Sequence, residues 1–183
     1  LGDVYKRQDS KIMAVVKTDG YGHGAVPIAH EIEDMPFLHG FAVATVEEAL
    51  ILKGSGIRKP VLVLGYTFPY CYEKMAREEI RPTVFREDML EEMGKAGQAC
   101  GRPVKIHIKV DTGMSRIGVI VQDHAYHIEE ILKMYAMKHV KVTGIFSHFS
   151  VSDSHTEEDL AFTAHQIELF DRVLSDIQAA GFD

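Results

Sequence analysis

A chain of 183 residues, 46% hydrophobic and 26% charged, can bury a real core and is not composed like a disordered segment. Its formal net charge of −7 includes no basic stripe, which argues against a nucleic-acid partner. No run of 18 apolar residues could cross a membrane, and no signal pattern opens the chain. Cys71 and Cys100 are too few for a disulfide framework, so the expected setting is reducing and cytoplasmic, with no membrane contact in this segment.

Leu1 to Gln8 prepare no following strand and read as a non-native or linker segment, which leaves residues 9–183 as the folding unit. The first strand is Ile12 to Val16. Lys17 ends it and opens Thr18-Asp19-Gly20-Tyr21-Gly22-His23-Gly24, where three glycines in five positions let backbone approach a ligand closely. A helix follows from Ala25, then a strand over Gly40 to Ala44 and a helix opened by the capping box Thr45-Val46-Glu47-Glu48. Further strands are expected at Val61 to Leu64, Arg81 to Phe85, Val104 to Val110 and Val140 to Phe146. Helices should lie after Pro69, after Asp88 and from about His124 to Met137. A last helix opened by Thr156 presents Leu160, Ala164, Ile167, Phe170 or Asp171, Leu174 and Ile177 at helical spacing and stops at Gly181.

Strand-then-helix alternation predicts a parallel sheet with helices outside. An open doubly wound sheet and a barrel share that pattern. Gly20-x-Gly22-x-Gly24 lacks the G-x-G-x-x-G spacing of a dinucleotide site, while Lys17, Lys109 with Asp111, and His148 all fall at the carboxyl ends of different strands, where a barrel gathers its active site. The expected fold is therefore α/β, a partial TIM (β/α)8 barrel with about six βα units. Two units are missing from the count of eight, so the chain is read as a truncated fragment, not an active monomer by itself.

Two further clusters carry chemistry. In Lys105-Ile106-His107-Ile108-Lys109-Val110-Asp111, period-2 alternation places His107, Lys109 and Asp111 on one face and the apolar residues on the other. Burying such groups without partners costs several kcal/mol, so mutual pairing or a ligand is implied. Arg116 follows in a loop, where its planar fork can reach an anion. His148 ends the sixth strand within Ser147-His148-Phe149-Ser150-Val151-Ser152-Asp153.

The stretch from Ala14 to Gly24 closely resembles the pyridoxal-phosphate lysine motif of the alanine racemases. Lys109, Asp111, Thr112, Gly113, Met114, Arg116 and Gly118 match that family's K-x-D-T-G-M-x-R-x-G pattern, and Ser147-His148-Phe149 with Asp153 matches its histidine motif. Thr18 and Gly20 depart from it, standing where the family more often has alanine. The resemblance implies pyridoxal 5'-phosphate held on Lys17, a phosphate contact from Tyr21, and Arg116 donating to the cofactor's phenolic oxygen. It also implies His148 beside the cofactor ring and a carbamylated Lys109, with Lys17, Arg116 and His148 as catalytic groups. Asp19 and Asp153 read as loop-shaping caps and His23 has no assigned role. The implied activity is interconversion of L- and D-alanine for cell-wall peptidoglycan by a homodimer, whose partner subunit supplies the tyrosine on the second face. The arginine at the pyridine nitrogen and the small β-domain would lie beyond Asp183. Competing readings are a serine racemase, a decarboxylase or a cofactor carrier on the same barrel, a non-catalytic binding module, and a metal-dependent barrel hydrolase. The last would want an H-x-H pair on the first strand, which Met13 to Lys17 lacks.

Overall fold

A computed structural model describes residues 10–182. The reading of Leu1 to Gln8 lies outside the described residues. Six parallel strands follow one another across the sheet: β1 (Ile12–Val15), β2 (Leu38–Val43), β3 (Val61–Val63), β4 (Ile80–Val84), β5 (Val104–Asp111) and β8 (Val140–Phe146). Helices α2 (Ala25–Ile32), α3 (Val46–Gly54), α4 (Tyr72–Glu78), α5 (Glu87–Cys100), α6 (Ile128–Ala136) and α7 (Glu157–Ala179) fall between and after them. This is the partial (β/α)8 barrel expected, with six βα units.

Local chemistry explains where elements begin and end. Thr45 Oγ1 accepts from the Glu48 N–H while the Glu48 carboxylate accepts from the Thr45 N–H, both at 3.4 Å, so the capping box at α3 is complete. Thr156 accepts the Asp159 N–H at 3.2 Å and starts α7. Ser154, Thr156 and Asp159 close this start between them, in the place where Asp153 was expected to act. Helix α5 ends on Gly101 at φ +66°, and the chain after α7 turns at Gly181 with φ +85°.

Two expectations need correction. The segment from His124 is not helical at first: β6 (Val119–Gln122) and β7 (Ala125–Tyr126) form an antiparallel hairpin around Asp123-His124, and α6 starts only at Ile128. Val119 and Val121 are buried while Ile120 is exposed, and β6 adds to the end of β5 by pairing Val119 with Val110. In α7 the core-facing stripe is Gln166, Leu169, Val173 and Ile177, whereas Leu160 and Ile167 are exposed. The buried face shares Ile177 with the expected stripe, and Phe170 packs against the core, but towards its start the helix buries Gln166, Leu169 and Val173 in place of Leu160 and Ile167. Ile167 and Phe170 line a groove with Ile145 and Phe149 on the outer side of β8.

The core runs along both faces of β5. Ile106, Ile108 and Val110 are fully buried against the helices, and His107, Lys109 and Asp111 on the other face are buried as well. A solvated edge strand is thereby excluded. His107 reaches Arg81 Nη1 across 3.3 Å, and Arg81 Nη1 also reaches His39 at 3.4 Å. Gly144 beside it on β8 has to be glycine, since a Cβ there would lie 2.6 Å from the His107 ring.

Burial, then the charges of Arg81 and His39, push the His107 imidazole down from 6.5 to about 4. As pH falls, the unfolded chain takes up this proton first, so the contribution to stability is complete above about 6.5 and is lost on the way down to about 4. The loss should reach roughly 3 kcal/mol. Denaturant titrations between pH 7 and 4 should show it, and His107→Gln should flatten that stretch of the profile; an equally steep slope in the variant would assign the acid sensitivity elsewhere.

Candidate active site

Val16 N–H donates to Ala42 O at 2.9 Å, which ties the backbone just before Lys17 to β2. The next residues, the single turn α1 (Lys17–Tyr21), take an unusual path. Thr18, Asp19, Gly20 and Tyr21 have φ of 55°, 52°, 62° and 55°, a left-handed run. Each non-glycine residue there costs about 1–2 kcal/mol, and a β-branched threonine is the least suited. With Thr18, Asp19 and Tyr21 involved, on the order of 3–6 kcal/mol has to be offset locally.

Neighbouring groups supply the offset. Gly20 N–H donates to Val16 O and Gly24 N–H to Asp19 O, each at 2.9 Å. Asp19 Oδ1 accepts the Ala25 N–H at 2.8 Å and so ties the turn to the first residue of α2, the loop-shaping part expected of it. Thr18 N–H donates to Glu48 Oε1 at 2.7 Å. Gly20 is buried so closely that a Cβ would lie 2.8 Å from Ile28 Cδ1. His23 Nδ1 approaches Gly20 O at 3.2 Å and points to no other role. The result is a half-buried lysine at the end of β1, with its Nζ 6.0 Å from the centroid of the exposed Tyr21 ring.

Lys109 reaches the same end of the sheet from β5. Its Nζ lies 4.9 Å over the Phe146 ring centroid, and burial followed by the charge of Arg116 pushes its pKa down, with Asp111 acting in the opposite sense. Asp111 itself faces its own loop. Its Oδ1 accepts the N–H groups of Gly113 and Ser115 at 3.0 Å each, which shapes the turn that presents the exposed Arg116. Gly118 closes that turn at φ +139°, where a Cβ would stand 2.7 Å from Asp111 N.

His148 follows β8 and is exposed at the same end. Its pKa is pushed down by partial burial and then by the charges of Lys109, Arg116 and Lys17, in that order. One imidazole thus lies within the fields of three cations from the ends of β1 and β5. Its loop is held by Gln166 of α7, which is fully buried: Gln166 Nε2 donates to Thr112 Oγ1 at 3.2 Å and Oε1 accepts the Ser150 N–H at 3.1 Å. Thr112 Oγ1 is 2.7 Å from Ser147 Oγ, which joins the β5 and β8 loops directly.

Lys17, Lys109, Arg116 and His148 are therefore brought together, and Tyr21 stands at the rim. Two residues escaped the sequence reading as parts of this site. Glu48 was legible only as a helix cap, since its contact with Thr18 spans 30 residues. Gln166 carried a weak signal, a polar residue in line with Leu169, Val173 and Ile177. Among the described residues, no three His, Cys, Asp or Glu side chains cluster in a way that could hold a metal ion.

A family model described as alanine racemase, N-terminal domain, matches residues 3–183. The chain belongs to this family. Curated relatives include alanine racemase 2 of Bacillus subtilis, 41% identical over 95% of this chain and 43% of its own length. Alanine racemase 1 of Oceanobacillus iheyensis is 36% identical over 96% of this chain and 45% of its own. Among solved structures, an alanine racemase of Clostridium difficile 630 superposes with a TM-score of 0.87 at 30% identity, over 96% of this chain and 44% of that one. The chain spans less than half the length of these racemases.

Within this racemase domain Asp111 is the loop's scaffold, so Asp111→Ala should leave two backbone N–H groups without their acceptor. The expected cost is about 1–3 kcal/mol in denaturant unfolding. Unchanged stability would show that water replaces the carboxylate at no cost.

Proposed function

We propose that the parent of this chain is a pyridoxal 5'-phosphate-dependent amino-acid racemase that interconverts L- and D-alanine by removing and returning the Cα proton. The D-alanine would serve cell-wall peptidoglycan, in the cytoplasm. The observation that carries this reading is the convergence of Lys17, Lys109 and Arg116 on His148. Among the described residues none of the three cations has an ion-pair partner, and such a group of cations suits a ligand that is both anionic and reactive toward an amine. The fit is good on chemical grounds. Half-buried Lys17 offers an amine, Arg116 a planar donor, and the exposed Tyr21 a hydroxyl for a further contact at the rim. The cofactor, when bound, supplies an electron sink that makes the Cα proton acidic enough to remove.

In this reading Lys17 holds the cofactor through its Nζ before substrate enters, and as a free amine it takes the Cα proton on one face. Arg116 would hold the cofactor's phenolic oxygen through its planar fork and supply a positive charge for the substrate carboxylate. Tyr21 contacts the phosphate. His148, kept toward its neutral form by partial burial and then by its cationic neighbours, would stand beside the cofactor ring without adding to the positive charge. Lys109 is assigned to carbamylation, for which a buried amine pushed toward its uncharged form is suited: its nitrogen attacks carbon dioxide and releases a proton. The resulting anion would turn a repulsion against Arg116 into a bidentate attraction. The second face requires a proton donor from a partner subunit, which makes a homodimer the working unit.

In the full-length protein, Lys17→Ala should abolish both the visible absorbance of the bound cofactor and the adduct trapped on this residue by borohydride. Colour and adduct surviving that change would overturn the reading. Arg116→Lys keeps the charge but loses the fork, so kcat/KM for alanine should fall by the equivalent of about 1.5–3 kcal/mol. An unchanged value would remove Arg116 from the site.

A further inference from the structure

The amine of Lys17 sits on backbone that would not adopt its shape unaided. Three non-glycine residues in a row of four are left-handed, and most of what holds them is local: the bonds to Val16 O and Asp19 O lie within the turn or at its edge. One contact is different. Glu48, half-buried at the start of α3, accepts the Thr18 N–H at 2.7 Å with Oε1 while its Oε2 accepts the Ala44 N–H at 2.7 Å and the Thr45 N–H at 3.4 Å. One carboxylate therefore joins the residue after Lys17 to the end of β2 and the first turn of α3. Ala44 follows Val43, which is fully buried, and α3 is fixed in the core through Ala49 and Leu52.

The capping box alone does not ask for this reach. A helix cap is satisfied once Glu48 meets the Thr45 N–H, yet that is the longest of the three bonds and the other two go outside the helix. All three partners are donors, so both carboxylate oxygens are needed as acceptors. A glutamine would turn an NH2 group toward an N–H at one of the two ends.

We propose that Glu48 is a positioning residue for Lys17: by bonding the Thr18 N–H it holds the left-handed turn in register with β2 and fixes where the amine points. This rests on Lys17 being the reacting amine, as argued above. Glu48 touches neither substrate nor cofactor in this role, so its loss should alter turnover more than substrate binding.

Three full-length variants separate the role from ordinary helix capping. Thr45→Ala removes the cap of the same helix but leaves the Thr18 bond. Glu48→Gln spoils one of the two ends, and Glu48→Asp keeps two oxygens on a side chain too short to span them. Hydrogen–deuterium exchange of the cofactor-free protein reads the turn directly. Peptides covering residues 16–24 should exchange about tenfold faster in Glu48→Gln and Glu48→Asp and at the wild-type rate in Thr45→Ala, whose increase should be confined to residues 45–54. With cofactor and alanine, both Glu48 variants should lose about tenfold in kcat with KM within a factor of three, and Thr45→Ala should keep both values. If the Glu48 variants and Thr45→Ala behave alike in exchange and in kcat, Glu48 is a helix cap only and the proposal is overturned. If the wild-type protein forms no adduct at Lys17, the functional reading fails on its own account, and the exchange contrast still decides whether Glu48 holds the turn.

Discussion

Cations gathered at one end of a parallel sheet repel each other, and the groups at that end of this sheet have to accommodate both burial and that repulsion. Lys17, Lys109 and Arg116 all act on His148, and the fold answers by moving two of the four groups toward neutrality: Lys109 by burial and by Arg116, His148 by burial and by all three cations. A carboxylate could have relieved the strain more simply. Asp111 is close enough to oppose the shift at Lys109, but its Oδ1 is engaged by two backbone N–H groups of its own loop. The charge is left available to a ligand, which is what a site for an anion requires and what a purely structural end of a sheet would avoid.

The second cost is conformational. Left-handed backbone at Thr18, Asp19 and Tyr21 is unfavourable on its own and persists only where its surroundings over-determine it. Here those surroundings are β2 through the Val16 bond, α2 through Asp19 Oδ1, and α3 through Glu48. Each of those elements is anchored by fully buried side chains, Phe41 in β2, Ala29 in α2 and Leu52 in α3, so apolar packing far from the site supports the strained turn. Gly20 adapts the sequence to that shape. Its place against Ile28 leaves no room for a Cβ without movement, so a residue that departs from the family's usual alanine proves to be fitted to the turn.

Much of this was legible because it depends on short-range periodicity. Alternation along Ile106 to Asp111 places three titratable groups on one face, and flanking helical segments imply a strand covered on both sides, as the sheet shows. Thr45 and Thr156 announced their helices by the spacing of their acidic partners. What was not legible depends on tertiary choice. Helix α7 has apolar residues on more than one face, and only packing against Thr112 and the His148 loop selects the face containing Gln166. The hairpin of β6 and β7 hid because Val119-Ile120-Val121 is a short apolar run with no polar alternation to mark it as a strand, and a helix begins soon after at Ile128. Glu48 satisfied a local rule so well that nothing in the sequence asked for a distant partner.

The register of β5 against β8 shows how one alternating strand serves several ends. His107 stands opposite Gly144, and Lys109 opposite Phe146. The missing side chain at Gly144 lets the imidazole lie across the neighbouring strand, where burial keeps it neutral beside Arg81. Two residues on, the Phe146 ring meets Lys109 with a π face, which tolerates either an amine or its charged form without committing a carboxylate. Two residues further, Asp111 leaves the ladder's interior and spends its oxygen on the loop that carries Arg116. Shifting this strand by one residue would put Ile106, Ile108 and Val110 where these groups stand and expose polar atoms to the helix layer. The same alternation that seals the core against α5 and α6 therefore also sets the spacing of the groups at the site, and neither could change without the other.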